Sequence, residues 1–254
     1  MHLRVVTYNI HRAIGVDRRY RLDRIVDILR HHRPDIALLQ EVDDGAPRSR
    51  HQDMAQELAD RLEYPEFAVG HNVSLREGRY GNATLSRFPI VLERNVDLTM
   101  GRRKARGCQY VRLQLAPNLP QLDVFNLHLG LSAAERKKQI ERLVRSVELL
   151  RVPDHAPCVV GGDFNDWRTQ LGPILRDRQG FRSATERRRA GSELRTYPSF
   201  SPSTGLDRVY YRGPLKLHAS RRCRLKLSKV ASDHLPVIVD FEVDTSSRNG
   251  LPIP

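Results

Sequence analysis

The chain has 254 residues, 39% of them hydrophobic and 29% charged, a net charge of +13 and a pI near 10.2. This balance describes a globular chain of one large or two small domains, and the absence of heptads, low-complexity tracts and solenoid-length repeats excludes coiled-coil and repeat architectures. The positive charge favours a polyanionic partner, either nucleic acid, an anionic lipid surface or a phosphorylated small molecule, although base bias in a genome also enriches arginine.

No run approaches the ~18 apolar residues of a membrane span. Residues 1–4 lead straight into an apolar strand, so no signal peptide is expected and the expected location is cytoplasmic. Cys108, Cys158 and Cys223 are too few and too scattered for a disulfide framework or a zinc site, and they predict free thiols in a reducing compartment.

Residues 3–10 are β-branched and apolar and predict a central strand, with Asn9 and His11 on one face of its end. Leu22, Ile25, Val26 and Leu29 fall at helical spacing until Pro34. Residues 35–41 predict a buried strand ending in Glu41, which completes a strand–helix–strand unit. A helix is expected over 52–62, then strands over 67–71, 81–86 and 91–98. Arg102-Arg103-Lys104 with Arg106 makes a basic loop, readable as solvated or as a phosphate contact. Residues 110–115 and 122–128 alternate like neighbouring strands.

Ser132 and Glu135 have the spacing of a capping box, and Ile140, Leu143, Val144 and Val147 predict the apolar stripe of one long helix. Arg136, Lys137 and Lys138 in its first turn oppose the helix dipole, as solvated cations or as the neighbours of an anion. Residues 158–160 predict a buried strand. Gly161-Gly162 then breaks it and Asp163-Phe164-Asn165-Asp166 follows, which places carboxylates and an amide at a strand end. A short helix is expected over 173–176 and a charged, mobile insertion over 185–193. Strands are expected over 206–211 and 237–243, with Ser232-Asp233-His234 in the loop before the last. A division into two strand-rich halves is expected near the helix at 132–150, and a disordered tail over 245–254.

Strand ends thus supply Asn9, Glu41, His128, Asp163, Asn165, Asp207, Asp233 and His234, which one sheet system would bring to a common rim. Carboxylates and amides without cysteine suit Mg²⁺ or Mn²⁺ better than zinc.

The ordered set Thr7-Tyr8-Asn9-Ile10, Gln40-Glu41, Gly81-Asn82 to Ser86-Arg87-Phe88-Pro89, Asn126-Leu127-His128-Leu129, Gly162-Asp163-Phe164-Asn165, Leu206-Asp207-Arg208-Val209 and Ser232-Asp233-His234-Leu235-Pro236 resembles the endonuclease/exonuclease/phosphatase family. The resemblance runs from about residue 3 to 243 and implies an α/β four-layer sandwich, two packed mixed β-sheets flanked by helices, over residues 1–244. It implies Glu41 as the main ligand of Mg²⁺ or Mn²⁺, aided by Asn9 and Asp233. Asp163 and Asn165 would orient water and bind phosphate. His234 would be the catalytic histidine, oriented by Asp207, and His128 a second histidine on the phosphate or leaving group. Asn82 and Arg136 would bind phosphate, with Arg136 and Gln139 equally readable as a helix-surface pair; Arg106, from the basic loop and apart from the resemblance, is the further phosphate-binding candidate. His11 stands where the apurinic endonucleases carry an aspartate, and His128 where they carry a tyrosine.

The expected activity is metal-dependent phosphoester hydrolysis, with DNA or RNA as the foremost substrate. A phospholipid head group or small phosphoester at an anionic membrane is the alternative, and a non-catalytic adaptor a third. No obligate protein partner is implied.

Overall fold

The computed structural model describes residues 1–117, 119–187 and 192–244. In chain order the elements are β1 His2–Asn9, α1 Leu22–His32, β2 Ile36–Asp44, α2 Met54–Leu62, β3 Glu66–Ser74, β4 Arg79–Ser86, β5 Ile90–Asp97, β6 Gly107–Leu113, β7 Leu122–His128, α3 Ala133–Val144, α4 Val147–Leu150, β8 Cys158–Asp163, α5 Gly172–Gln179, β9 Arg182–Ser183, β10 Glu186–Arg187, β11 Ser192–Glu193, β12 Asp207–Arg212, β13 Leu215–Arg222, α6 Ser228–Ala231 and β14 Val237–Val243.

Two six-stranded mixed sheets form, ordered β13-β14-β1-β2-β4-β3 and β5-β6-β7-β8-β12-β9. Strand alternation sorts the core into layers. Leu3 and Val5 of β1, Leu38 of β2, Val124 of β7 and Val159 of β8 pack between the sheets. Val6, Tyr8 and Leu39 face outward against Ile25, Val26 and Leu29 of α1 and Leu58 of α2. On the other side Phe125, Val160 and Tyr210 pack against Ile140, Leu143 and Leu175 of α3 and α5. The α/β four-layer sandwich of two packed sheets flanked by helices is therefore the observed fold.

Local chemistry sets the helix ends. Arg33 closes α1 in the left-handed region just before Pro34, where a further helical residue is disfavoured. The Asp53 carboxylate caps α2 by accepting from the amides of Ala55 and Gln56.

Several expectations are corrected. The chain does not divide between sheets at the 132–150 helix: the second sheet takes β5 to β9 and β12, and β13 and β14 return to the first. The helix itself is two, broken at Arg145-Ser146, because Ser146 caps a new turn through the amide of Leu149; Val147 lies exposed, off the stripe. Ser132 makes no side-chain cap. Glu135 instead accepts from Gln139 Nε2 at 3.2 Å and pairs with Arg103 at 3.1 Å, packed where a side chain on Gly130 would sit. The flanks of the 185–193 insertion pair as β10 and β11, while residues 188–191 and the tail at 245–254 lie outside the described residues. The three cysteines are free and buried, and among the described residues no helix is long and apolar enough to cross a membrane.

Toward one end of the strands the layer between the sheets turns polar. Gln40 Nε2 donates to Asn126 Oδ1 at 2.7 Å and to Thr7 Oγ1 at 3.2 Å. Asn126 Nδ2 donates across to the carbonyls of Leu39 and Ala83 at 3.1 and 3.0 Å. Asn82 Nδ2 reaches the carbonyls of Gly107 and Asn126, both at 3.1 Å. Thr84 Oγ1 donates to Gln109 Oε1 at 2.7 Å. All are buried, so each bond answers a desolvated group.

Asn126→Leu strips partners from Gln40 and two carbonyls at once. It should lower the unfolding free energy in urea by about 2–4 kcal/mol. A wild-type midpoint and slope would show that the amide layer does not join the sheets.

Candidate active site

Register builds the centre of the site. His128 ends β7, Asp163 ends β8 and Asp207 begins β12; His128 pairs with Asp163 across the parallel ladder, and Asp207 with Asp163 across the antiparallel one. Asp163 shares a face with Val159 and Gly161, so its carboxylate points into the rim between the sheets. Gly162, just before it, has φ +142, and a Cβ there would stand 1.9 Å from the carbonyl oxygen of Leu127. Only glycine fits.

Three groups converge on Asp163 Oδ2. Asn9 Nδ2, from the end of β1 in the other sheet, donates at 3.0 Å. His128 Nε2 lies at 3.4 Å and His234 Nε2 at 3.7 Å. Oδ1 accepts from the Asn165 amide at 2.9 Å, while Asn165 Nδ2 donates to Leu129 O at 2.9 Å and ties the loop after β8 to the loop after β7.

His234 is fixed from behind. Its Nδ1 stands 2.9 Å from Asp207 Oδ2, an oxygen that also accepts from Thr196 Oγ1 at 2.5 Å. With Asp207 accepting at Nδ1, Nε2 faces Asp163. Ser232 pins the loop to β1, donating to Asn9 O at 2.7 Å and accepting from the His234 amide at 3.1 Å.

The two histidines titrate apart. Burial works against charge on His234, but Asp207 and Asp163 outweigh it and raise its pKa to about 10. Burial, reinforced by Arg106 and His234, drives His128 well below the ordinary histidine value and keeps it neutral. Burial also raises Asp163 to about 6, against the lowering pull of His234.

Glu41 sits at a β-bulge, where Gln40 pairs with Asn82 and Val42 with Gly81, and its φ is +58. The bulge turns its carboxylate toward the rim. Arg12 Nε faces Oε2 at 3.2 Å but off hydrogen-bond alignment, so among the described residues both buried atoms lack a hydrogen-bond partner. His11, Arg12 and Ala13 are all left-handed, a strained approach that brings Arg12 there. Asp233 is one-third exposed, with Oδ1 4.0 Å from His11 Nδ1. The His11 amide donates to Asn9 Oδ1 at 3.0 Å.

The oxygen donors of Glu41, Asn9 and Asp233 match what Mg²⁺ or Mn²⁺ takes, and Glu41 Oε2, which faces the Arg12 guanidinium but has no hydrogen bond among the described residues, is the buried atom such a cation would satisfy. Among the described residues, Asp163, Asp207 and His234 bring one potential ligand atom each within 4.8 Å of one another. These three already pair among themselves, and a protonated His234 offers no lone pair to a metal.

The expected phosphate contacts divide. Arg106 is buried with Nε lacking a partner among the described residues, and it acts electrostatically on His128. Asn82 lies in the amide layer, its nitrogen engaged by two carbonyls. The Arg136 guanidinium donates to the carbonyls of Gly130 and Leu131, and Gln139 Oε1 accepts from the Gly130 amide at 2.8 Å. Both brace the loop that follows His128. Asp166 also turns away, accepting from Gln170, Leu171 and the fully buried Arg208. Thr196 and Arg12 carried no sequence signal, since their partners lie far away in the chain or depend on backbone strain.

The endonuclease/exonuclease/phosphatase family model matches residues 6–234. The uncharacterized protein YbhP of Escherichia coli K12 is 32% identical over 251 residues, covering 94% of this chain and 96% of its own length. An endonuclease/exonuclease/phosphatase structure from Beutenbergia cavernae superposes with a TM-score of 0.76 at 23% identity, covering 95% of this chain and 72% of that one. ANGEL2, a 2′,3′-cyclic phosphatase solved with adenosine-2′,3′-vanadate, gives 0.73 at 16% identity over 95% of each chain.

Asp163 is a buried acid whose folded pKa exceeds its unfolded value. Its ionisation therefore opposes folding above pH 6, and the penalty fades as pH falls through the ordinary carboxylate range. Asp163→Asn should melt at or above the wild-type temperature at pH 7.5 and lose that advantage near pH 4. A lower melting temperature at pH 7.5 would mean that the carboxylate stabilises the fold.

Proposed function

The chain belongs to the endonuclease/exonuclease/phosphatase family, and on that premise we propose that it is a Mg²⁺- or Mn²⁺-dependent phosphodiesterase acting on nucleic acid. The observation that carries the reading is the convergence of Asn9, His128 and His234 on Asp163 beside a Glu41 carboxylate oxygen without a hydrogen-bond partner. Glu41, Asn9 and Asp233 would hold the cation, which when bound polarises a phosphoryl oxygen and offsets developing charge.

The chain's own groups divide the remaining work. Asp163, more basic than an ordinary aspartate yet ionised at pH 7.5, accepts the proton of the attacking water. His234, held charged by Asp207, donates from Nε2 to a phosphoryl oxygen and gains strength as charge builds there. Neutral His128 contributes a second N–H on the other side of Asp163. Asn165 keeps Asp163 oriented through its backbone amide. Arg12 and Arg106 supply positive charge at the rim, and Lys104 stands over the Tyr80 ring at 5.1 Å.

The net charge of +13 supports a polyanionic substrate, because neutralising backbone phosphates dominates nucleic-acid affinity. A second reading, hydrolysis of a phospholipid head group at an anionic membrane, draws on Leu131 and Phe200, which are 70% and 64% exposed in loops beside the site.

Purified protein with Mg²⁺ or Mn²⁺ should nick or degrade DNA or RNA, and EDTA should abolish the activity. Glu41→Gln should eliminate turnover with the fold intact, and His234→Ala should cost about 10²–10⁴-fold or more in kcat. Affinity should fall steeply between 50 and 200 mM salt. Phospholipid or inositol phosphate cleaved with nucleic acid untouched would select the second reading. Full activity of Glu41→Gln would remove the metal assignment.

A further inference from the structure

One feature of the rim plays no part in the hydrolytic machinery. Trp167 lies two residues beyond Asn165, its amide donating to Asn165 O at 3.2 Å, and it is 47% exposed. Its indole meets the ring of Tyr197 edge-on, with centroids 5.4 Å apart and planes at 85°. Tyr197 in turn packs on the His234 ring at 5.0 Å. Two ring-to-ring steps therefore lead from the charged histidine to an open aromatic surface.

The arrangement is braced at each step. Thr196, the neighbour of Tyr197, bonds Asp207, and the Leu235 amide donates to Thr196 O at 2.9 Å. Tyr197 and Thr204 exchange backbone bonds that close the turn carrying Phe200. A large aromatic half exposed to water has a hydration cost that packing elsewhere would have removed.

We propose that Trp167, braced by Tyr197, is a stacking platform for the base of the nucleotide whose phosphate lies at His234. The proposal takes the position of the phosphate from the phosphodiesterase reading. A freely protruding side chain suits insertion into a bilayer, whereas a ring locked at a fixed offset from the catalytic histidine suits a rigid planar group joined covalently to the phosphate. Every base has a π-face, so the platform favours nucleotides over alkyl phosphoesters without selecting sequence. It accommodates one base beside the scissile phosphate. Arg168, exposed next to it, adds positive charge beside the platform.

Trp167 is the only tryptophan, so its emission reports on this position alone. Glu41→Gln protein should be titrated with a short oligonucleotide, with an abasic oligomer of equal length and charge, and with anionic phospholipid vesicles. Quenching by the base-bearing oligomer and not by the abasic one supports the platform. Equal responses to both oligomers overturn it, as does a blue shift with vesicles unaccompanied by base-dependent quenching. For the active enzyme, Trp167→Ala should raise KM for the base-bearing substrate roughly ten- to hundredfold with a smaller change in kcat. Trp167→Phe should recover much of the loss. An unchanged KM overturns the proposal. If the wild-type chain hydrolyses neither oligomer, the phosphodiesterase reading fails, while the fluorescence titration still decides whether Trp167 stacks on a base.

Discussion

Asp163 holds the structure's chemistry together because hydrogen-bond register, and not side-chain choice alone, delivers its partners. It ends an interior strand of the second sheet, with His128 opposite on one neighbour and Asp207 opposite on the other. A one-residue slip of either ladder would turn that partner to the opposite face of the sheet. Gly162 bears much of this constraint: its φ and the nearby Leu127 carbonyl admit no side chain, so the strand reaches its last residue with the carboxylate aimed between the sheets. Asn9 then closes the contact from the facing sheet.

That closing contact depends on how the sheets are aligned. Along β1, β2 and β7 the inward face runs from apolar to uncharged polar to functional group: Val5, Thr7 and Asn9; Leu38, Gln40 and then Glu41; Val124, Asn126 and His128. Apolar layers attract without direction, and two sheets joined only by them could settle at several offsets. The amide layer bonds at fixed points, Gln40 to Asn126 and Asn126 to two carbonyls of the first sheet, one layer beneath the rim. A shift of one sheet would orphan several buried polar groups together. The polar layer therefore transmits alignment to the site above it, which the apolar layer could not do.

Periodicity in the sequence carried most of the elements, since alternating strands and the stripes of α1 and α2 write their burial directly into residue order. Strand ends carried the site, because the chemistry sits where apolar runs stop. The assignment of strands to sheets was not legible: β13 and β14 rejoin the first sheet through long-range pairing that leaves no local mark. The bulge that aims Glu41 and the left-handed run at 11–13 were equally hidden, as neither contains glycine. The capping-box motif misled for a tertiary reason, Glu135 being drawn to Arg103 from the basic loop as well as to Gln139 one turn along its own helix. Arg136 and Asn82 show the same limit. Their residue types suit a phosphate, and only the folded arrangement reveals how much of their bonding capacity is engaged by carbonyls.

Part of the irregularity lost to sequence reading lies at the rim itself. Among the described non-glycine residues with positive φ, His11, Arg12, Ala13, Glu41 and Asn165 lie in the segments that build the rim, while others such as Arg33, Arg50 and Glu63 close helices elsewhere. Buried atoms without a hydrogen bond among the described residues include Glu41 Oε2, Arg12 Nε, Arg106 Nε and Asp207 Oδ1 around the rim, with others elsewhere, such as Glu193 Oε2 and Ser220 Oγ. Each such feature costs of order 1–3 kcal/mol, against a net stability of about 5–15 kcal/mol for a typical domain. Those at the rim are held against their own preferences by the well-packed layers below. A phosphoester site uses that condition: charges partly desolvated and only partly satisfied by one another until a substrate completes their partners.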